Sequence, residues 1–76
     1  MENVLYVHVD CVWDEEAGVW TATSPDVKGL VLEDSSFDRL MYRVELAVPE
    51  LLQLNDNSRK TAGYLYQAEK RQAVYA

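Results

Sequence analysis

The sequence is poor in the residues that carry covalent and redox chemistry. Its 76 residues include one cysteine, Cys11, and one histidine, His8. A lone cysteine excludes a disulfide framework and a multi-cysteine zinc site, and it fits a reduced, cytoplasmic compartment. There are only three glycines, and none falls in a phosphate loop or a dinucleotide fingerprint. No apolar run approaches the roughly 20 residues that a membrane helix needs. Met1-Glu2-Asn3 lacks the basic start of a signal peptide. Positive charge is scarce as well, with 7 Lys and Arg against 13 Asp and Glu for a net charge of −6. An acidic body repels a phosphate backbone, and the pairs Arg59-Lys60 and Lys70-Arg71 are too sparse to make a nucleic-acid site.

Hydrophobic residues make up 49% of the chain and charged residues 26%, so it should fold as one globular domain over residues 1–76. A domain of this size buries only about 60% of its unfolded surface, and association often adds to its stability. The charge is polarised along the chain. Residues 1–50 hold 11 acids and 3 bases, a net −8, and residues 51–76 hold 2 acids and 4 bases, a net +2. The acidic part would attract a basic protein.

"VLYVHVDCVW", Val4 to Trp13, is rich in β-branched and aromatic residues and reads as a long strand. Strand alternation puts Leu5, Val7, Val9, Cys11 and Trp13 on one face, and Val4, Tyr6, His8, Asp10 and Val12 on the other. "DEEAG" is a turn in which Gly18 supplies a positive φ, and "VWTATS" is the returning strand of a hairpin. Pro25 ends that strand, Asp26 to Gly29 turn the chain, and Leu30-Val31-Leu32 suit a short third strand. Ser35 is placed to cap a helix, with Asp38 as its capping-box acid. From about Ser36 to Leu54 the residues Phe37, Leu40, Met41, Val44, Ala47, Val48, Leu51 and Leu52 form an apolar stripe. Pro49 should kink this helix or break it in two. After a polar loop from Asn55 to Gly63, Tyr64 to Ala76 reads as a last strand with an irregular tail, or else as a second short helix. The fold expected is α+β, β-β-β-α-β: a three-stranded antiparallel sheet plus a final strand, with one long helix on one sheet face.

The possible chemical sites have plainer readings. Asp14, Glu15 and Glu16 are consecutive in a turn and point apart, so with Asp10 they do not make a magnesium cluster. His8 lies on one strand face with Asp10, where the two could share a surface hydrogen bond, and Cys11 lies on the opposite face. Trp13 and Trp20 flank the hairpin and could meet across it. No catalytic residue, metal or cofactor is expected.

The order of "WDEEAGVW", "ATSPDVKGLV" and a capped helix resembles the HicB-like antitoxin domains, over Val4 to about Leu54. Helix wording such as "VELAVPELLQLN" is similar to a small, stand-alone branch of that superfamily. The resemblance implies a truncated RNase H-like unit without nuclease activity. It also implies a partner, a small basic HicA-like toxin that cleaves mRNA. Tyr6, His8, Asp10, Asp14, Glu15, Trp20 and Asp26 are the candidate partner-binding residues. The alternative is a stand-alone homo-oligomeric interaction module. A homodimer is expected in either case. It would form through the sheet face bearing Val4, Tyr6, Val12 and tail tyrosines, or through the edge of the last strand.

Overall fold

The computed structural model describes residues 4–57 and 59–71. Strand β1 spans Val4–Asp14, β2 Val19–Thr23, β3 Val31–Asp34 and β4 Lys60–Glu69, and helix α1 spans Phe37–Leu54 between β3 and β4. The four strands form one mixed sheet in the order β3-β2-β1-β4. β2 pairs antiparallel with β1 and with β3, whereas β4 pairs parallel with β1. The parallel pairing follows from the long connection through the helix, which returns the chain in the direction of β1.

β1 alternates as its residue types require. Leu5, Val7, Val9 and Cys11 are buried, and Val4, Tyr6, His8, Asp10 and Val12 are exposed. The buried side meets Leu40, Val44, Val48 and Leu52, which recur every four residues on α1. Ala22, Val27 and Leu30 complete the core. At roughly 25 cal/mol per Å² of apolar surface removed from water, this cluster is the main source of stability.

The helix starts one residue later than expected. Ser36 is the N-cap, and its hydroxyl accepts from the Arg39 amide at 3.2 Å. That shift removes Asp38 from the capping-box position. Asp34 organises the helix start instead: it accepts from the Ser36 amide at 2.9 Å, from Arg39 Nε at 2.9 Å and from Arg43 at 3.3 Å. These bonds to the charged form hold its carboxyl far below the ordinary carboxylate range, the Arg39 bond contributing most. α1 runs as one helix through Pro49, so the alternative of a break into two helices does not occur. Pro49 is on the exposed side, where the carbonyl it deprives of a donor can meet water. At the C-terminus the amide of Asn57 bonds the Leu52 carbonyl at 2.9 Å, and that of Asp56 bonds Gln53 at 3.2 Å. Asp56 takes the left-handed position of this closing turn, at φ 55°.

The starts of two strands also differ from expectation. β3 begins at Val31, because Leu30 turns into the core with its amide on the Val27 carbonyl at 3.2 Å. β4 begins at Lys60 rather than Tyr64, since pairing with Val4 and Leu5 of β1 recruits the polar residues that precede the tyrosines. The competing short helix is absent there, and the tail from residue 72 onward, Tyr75 included, lies outside the described residues.

Candidate functional site

Among the described residues no element covers the side of the sheet away from α1, and strand pairing fixes its contents. Asp10, Thr23 and Val31 lie in one row across β1, β2 and β3, and Val12, Thr21 and Glu33 lie in the next. On the other flank β4 sets Leu65 beside His8, Gln67 beside Asp10 and Glu69 beside Val12. Tyr6 lies across Gly63, where an added β-carbon would sit 3.5 Å from the ring. Tyr6, Val12, Val31 and Leu65 are each at least half exposed on this face. Around them stand the exposed carboxylates of Asp10, Asp14, Glu33 and Glu69, against the ammonium of Lys60 among the described strand residues. The face thus offers apolar area within an acidic field.

His8 does not partner Asp10. Its amide donates to Asp26 Oδ2 at 2.8 Å, and its ring Nδ1 is 2.9 Å from the same oxygen. The sequence explains why. If the β1–β2 ladder continued beyond Asp10 and Thr23, His8 would face Pro25. Proline ends the strand, and the next residue's carboxylate takes the amide that the missing strand would have satisfied. The Asp26 amide in turn bonds Ser24 Oγ at 3.1 Å, which fixes the turn. The bond from the His8 amide, followed by that from its ring, lowers the pKa of Asp26. Behind this corner Val27 is buried, Gly29 adopts φ +89°, and the Asn55 side chain donates to the Lys28 carbonyl at 3.0 Å. The corner is therefore anchored to the end of α1.

The candidate residues divide into three places. Tyr6, His8, Asp10 and Asp26 come together on or beside the open face. Asp14 and Glu15 sit at the hairpin tip, where Asp14 accepts the amides of Glu16 and Ala17 at 3.1 Å. Trp20 belongs to the covered face. It meets Trp13 edge-on at 5.4 Å between centroids, as its cross-strand position suggested, and it meets Phe37 at 5.0 Å. Tyr64 and Tyr66 also lie on the covered side, stacked at 6.2 Å, so these two tyrosines do not extend the open face. The Tyr66 hydroxyl donates to Glu45 at 2.7 Å, and burial with that carboxylate drives its pKa well up. The sequence reading missed Val31 and Leu65 as members of the open face. Their signal was alternation against Leu32 and Tyr64, legible only once the strand partners were known.

Cys11 is a buried core residue, and burial, with the Asp10 charge second, pushes its thiol pKa up. Among the described residues no three His, Cys, Asp or Glu side chains converge to hold a metal ion. No helix among them is long and apolar enough to cross a membrane.

A small mixed sheet carrying one helix, with its second face open, defines the structural class. Residues 5–76 match the family model described as "Domain of unknown function (DUF1902)", and the chain belongs to that family. It is similar to the crystal structure of a hypothetical protein, TTHA1013, from the extremely thermophilic bacterium Thermus thermophilus. That match has a TM-score of 0.73 and 32% identity, over 95% of this chain and 100% of the other. No curated protein matches the sequence.

Proposed function

We propose that the protein is a non-catalytic, HicB-like antitoxin-type module that sequesters a small, basic, HicA-like mRNA-cleaving toxin. The observation that carries this reading is the open sheet face, where Tyr6, Val12, Val31 and Leu65 are exposed among Asp10, Asp14, Glu33 and Glu69. An apolar centre with a charged surround suits protein recognition: apolar contact supplies affinity, and opposite charge speeds encounter and selects the partner. Blocking the toxin's active site by occupation requires no chemistry from this chain. The resemblance of "WDEEAGVW" and "ATSPDVKGLV" to HicB-like motifs supports the same reading.

The test starts with a search for a short basic reading frame beside this gene, whose absence would count against the toxin partner, and continues with co-expression of its product. Growth arrest caused by that product should be relieved by the wild-type chain and not by the Asp10→Lys, Glu33→Lys double variant. Failure of the wild-type chain to relieve arrest would remove the toxin partner. Relief by both forms would move the contact off this face. The second reading, a homo-oligomeric module with no toxin, is favoured by a different feature, the ten-residue β4 that forms the edge of the sheet among the described residues.

A further inference from the structure

The two edges of the sheet are treated differently. β3, at one edge, has four residues and ends in Glu33 and Asp34, and both shortness and charge discourage pairing with another chain. β4, at the other edge, has ten residues with no proline, and from Ala62 to Ala68 it has no charge. Half of its backbone amides and carbonyls point away from β1, as in any edge strand. α1 reaches the covered face of β4, where the Tyr66 hydroxyl bonds Glu45, but it does not pair beside the strand, which stands at the sheet edge. Four of the protein's seven bases, Arg59, Lys60, Lys70 and Arg71, flank the strand. It is the part of an acidic molecule that a second acidic molecule can approach with least repulsion.

We propose that β4 pairs antiparallel with β4 of a second copy about a two-fold axis at Leu65, giving one continuous eight-stranded sheet. The register follows from the strand itself. Opposed residues in an antiparallel pair share a sheet face, so the axis must pass through a residue and not between two. With Leu65 at the axis, Tyr64 faces the partner's Tyr66 on the helix side, and Gly63 faces the partner's Gln67 on the open side. β4 carries one extra residue, Ala62, between its pairings with Leu5 and Tyr6. Counting past that bulge brings Lys60 opposite the partner's Glu69, and the symmetry makes the pair twice. An axis at Tyr64 would set Lys60 against Gln67, and one at Tyr66 would set it against Arg71. The Leu65 register alone among these three sets Lys60 against a carboxylate, while just beyond the strand it brings Arg59 beside the partner's Lys70. Glu69 already holds Arg71 of its own chain at 2.9 Å, and Lys70 lies over its own Trp13 ring at 4.7 Å. These contacts keep both neighbouring bases occupied at the ends of the pairing. The dimer leaves the open face of both copies free, so it is compatible with a bound partner there.

Sedimentation of the full chain at micromolar to about 100 µM concentration tests this, with circular dichroism to confirm folding of each variant. The wild type should sediment as a dimer. Lys60→Glu and Glu69→Lys should each weaken the dimer roughly ten- to thirtyfold, since two exposed pairs change from attraction to repulsion. An equimolar mixture of the two variants should recover wild-type affinity, because both opposed pairs are then unlike. Val31→Glu, on the open face at the opposite sheet edge, should leave the dimer unchanged. A wild-type monomer at about 100 µM overturns the proposal. So does a dimer that withstands both charge reversals, or one lost in Val31→Glu, and a mixture no tighter than its components overturns the register.

Discussion

Val44 lies on the fourth-residue row of α1, fully buried among Leu40, Val48 and the inward side of β1. Replacing it with alanine removes two carbons from a close-packed site, which costs about 2–3 kcal/mol in transfer and cavity terms. A 76-residue domain has only about 4–11 kcal/mol in total, at roughly 0.05–0.15 per residue. At roughly 4–8 °C per kcal/mol, Val44→Ala should lower the melting temperature by roughly 10–20 °C. Val44→Asp places an unpaired carboxylate in the same site at a cost of several kcal/mol, so no cooperative transition should remain. Leu46→Ala is the control. It lies on the same helix but is 57% exposed, and should change stability by less than about 0.5 kcal/mol. Thermal denaturation followed by circular dichroism reads all three. A Val44→Asp melt within a few degrees of wild type, or a larger loss for Leu46→Ala than for Val44→Ala, would refute the assignment of the core.

Asp26 and Asp34 both have folded-state pKa values below that of an unfolded aspartate. The stability they contribute is complete above about pH 5 and is lost as pH falls below about 4, through the unfolded-state value towards the lower folded ones. Urea midpoints should therefore drop between about pH 5 and pH 3, and Asp26→Ala should make the drop shallower; an unchanged slope would contradict the His8 cap. Asp56 and Gly29 both have positive φ and should respond in opposite directions. Asp56→Gly relieves a left-handed residue and should gain about 0.5–1 kcal/mol, whereas Gly29→Ala imposes one and should lose about 1–2 kcal/mol. The space at Gly29 is adequate, with Leu51 at 3.5 Å from an added β-carbon, so the loss reports backbone strain and not a clash. Equal melting temperatures for wild type and both variants would contradict the turn assignments.

The parts of this fold that were legible are those set by local periodicity. The alternation of β1, the Trp13–Trp20 pairing and the four-residue row of α1 all follow from side-chain spacing alone. The parts that were not legible depend on partners distant in sequence. Lys60 and Thr61 look like loop residues and become strand only because β1 offers an unpaired edge. Ser35 and Ser36 are equivalent as caps until Asp34 and Arg39 decide between them. The open face was visible in Tyr6, His8 and Asp10. Asp26 reached it through an 18-residue separation to His8, which only the position of Pro25 in the register explains. Trp20 was assigned to a partner surface although its pairing with Trp13 already placed it on the covered side. Register, and not residue type, decided each of these.

If a short basic reading frame lies beside this gene, cleavage of a reporter mRNA by its product, measured against increasing amounts of this chain, tests the proposed sequestration most directly. Sequestration predicts that cleavage falls in proportion to added chain and stops near stoichiometric amounts. It also predicts that the Asp10→Lys, Glu33→Lys variant leaves cleavage running. Cleavage undiminished by a large excess of the wild-type chain would contradict it.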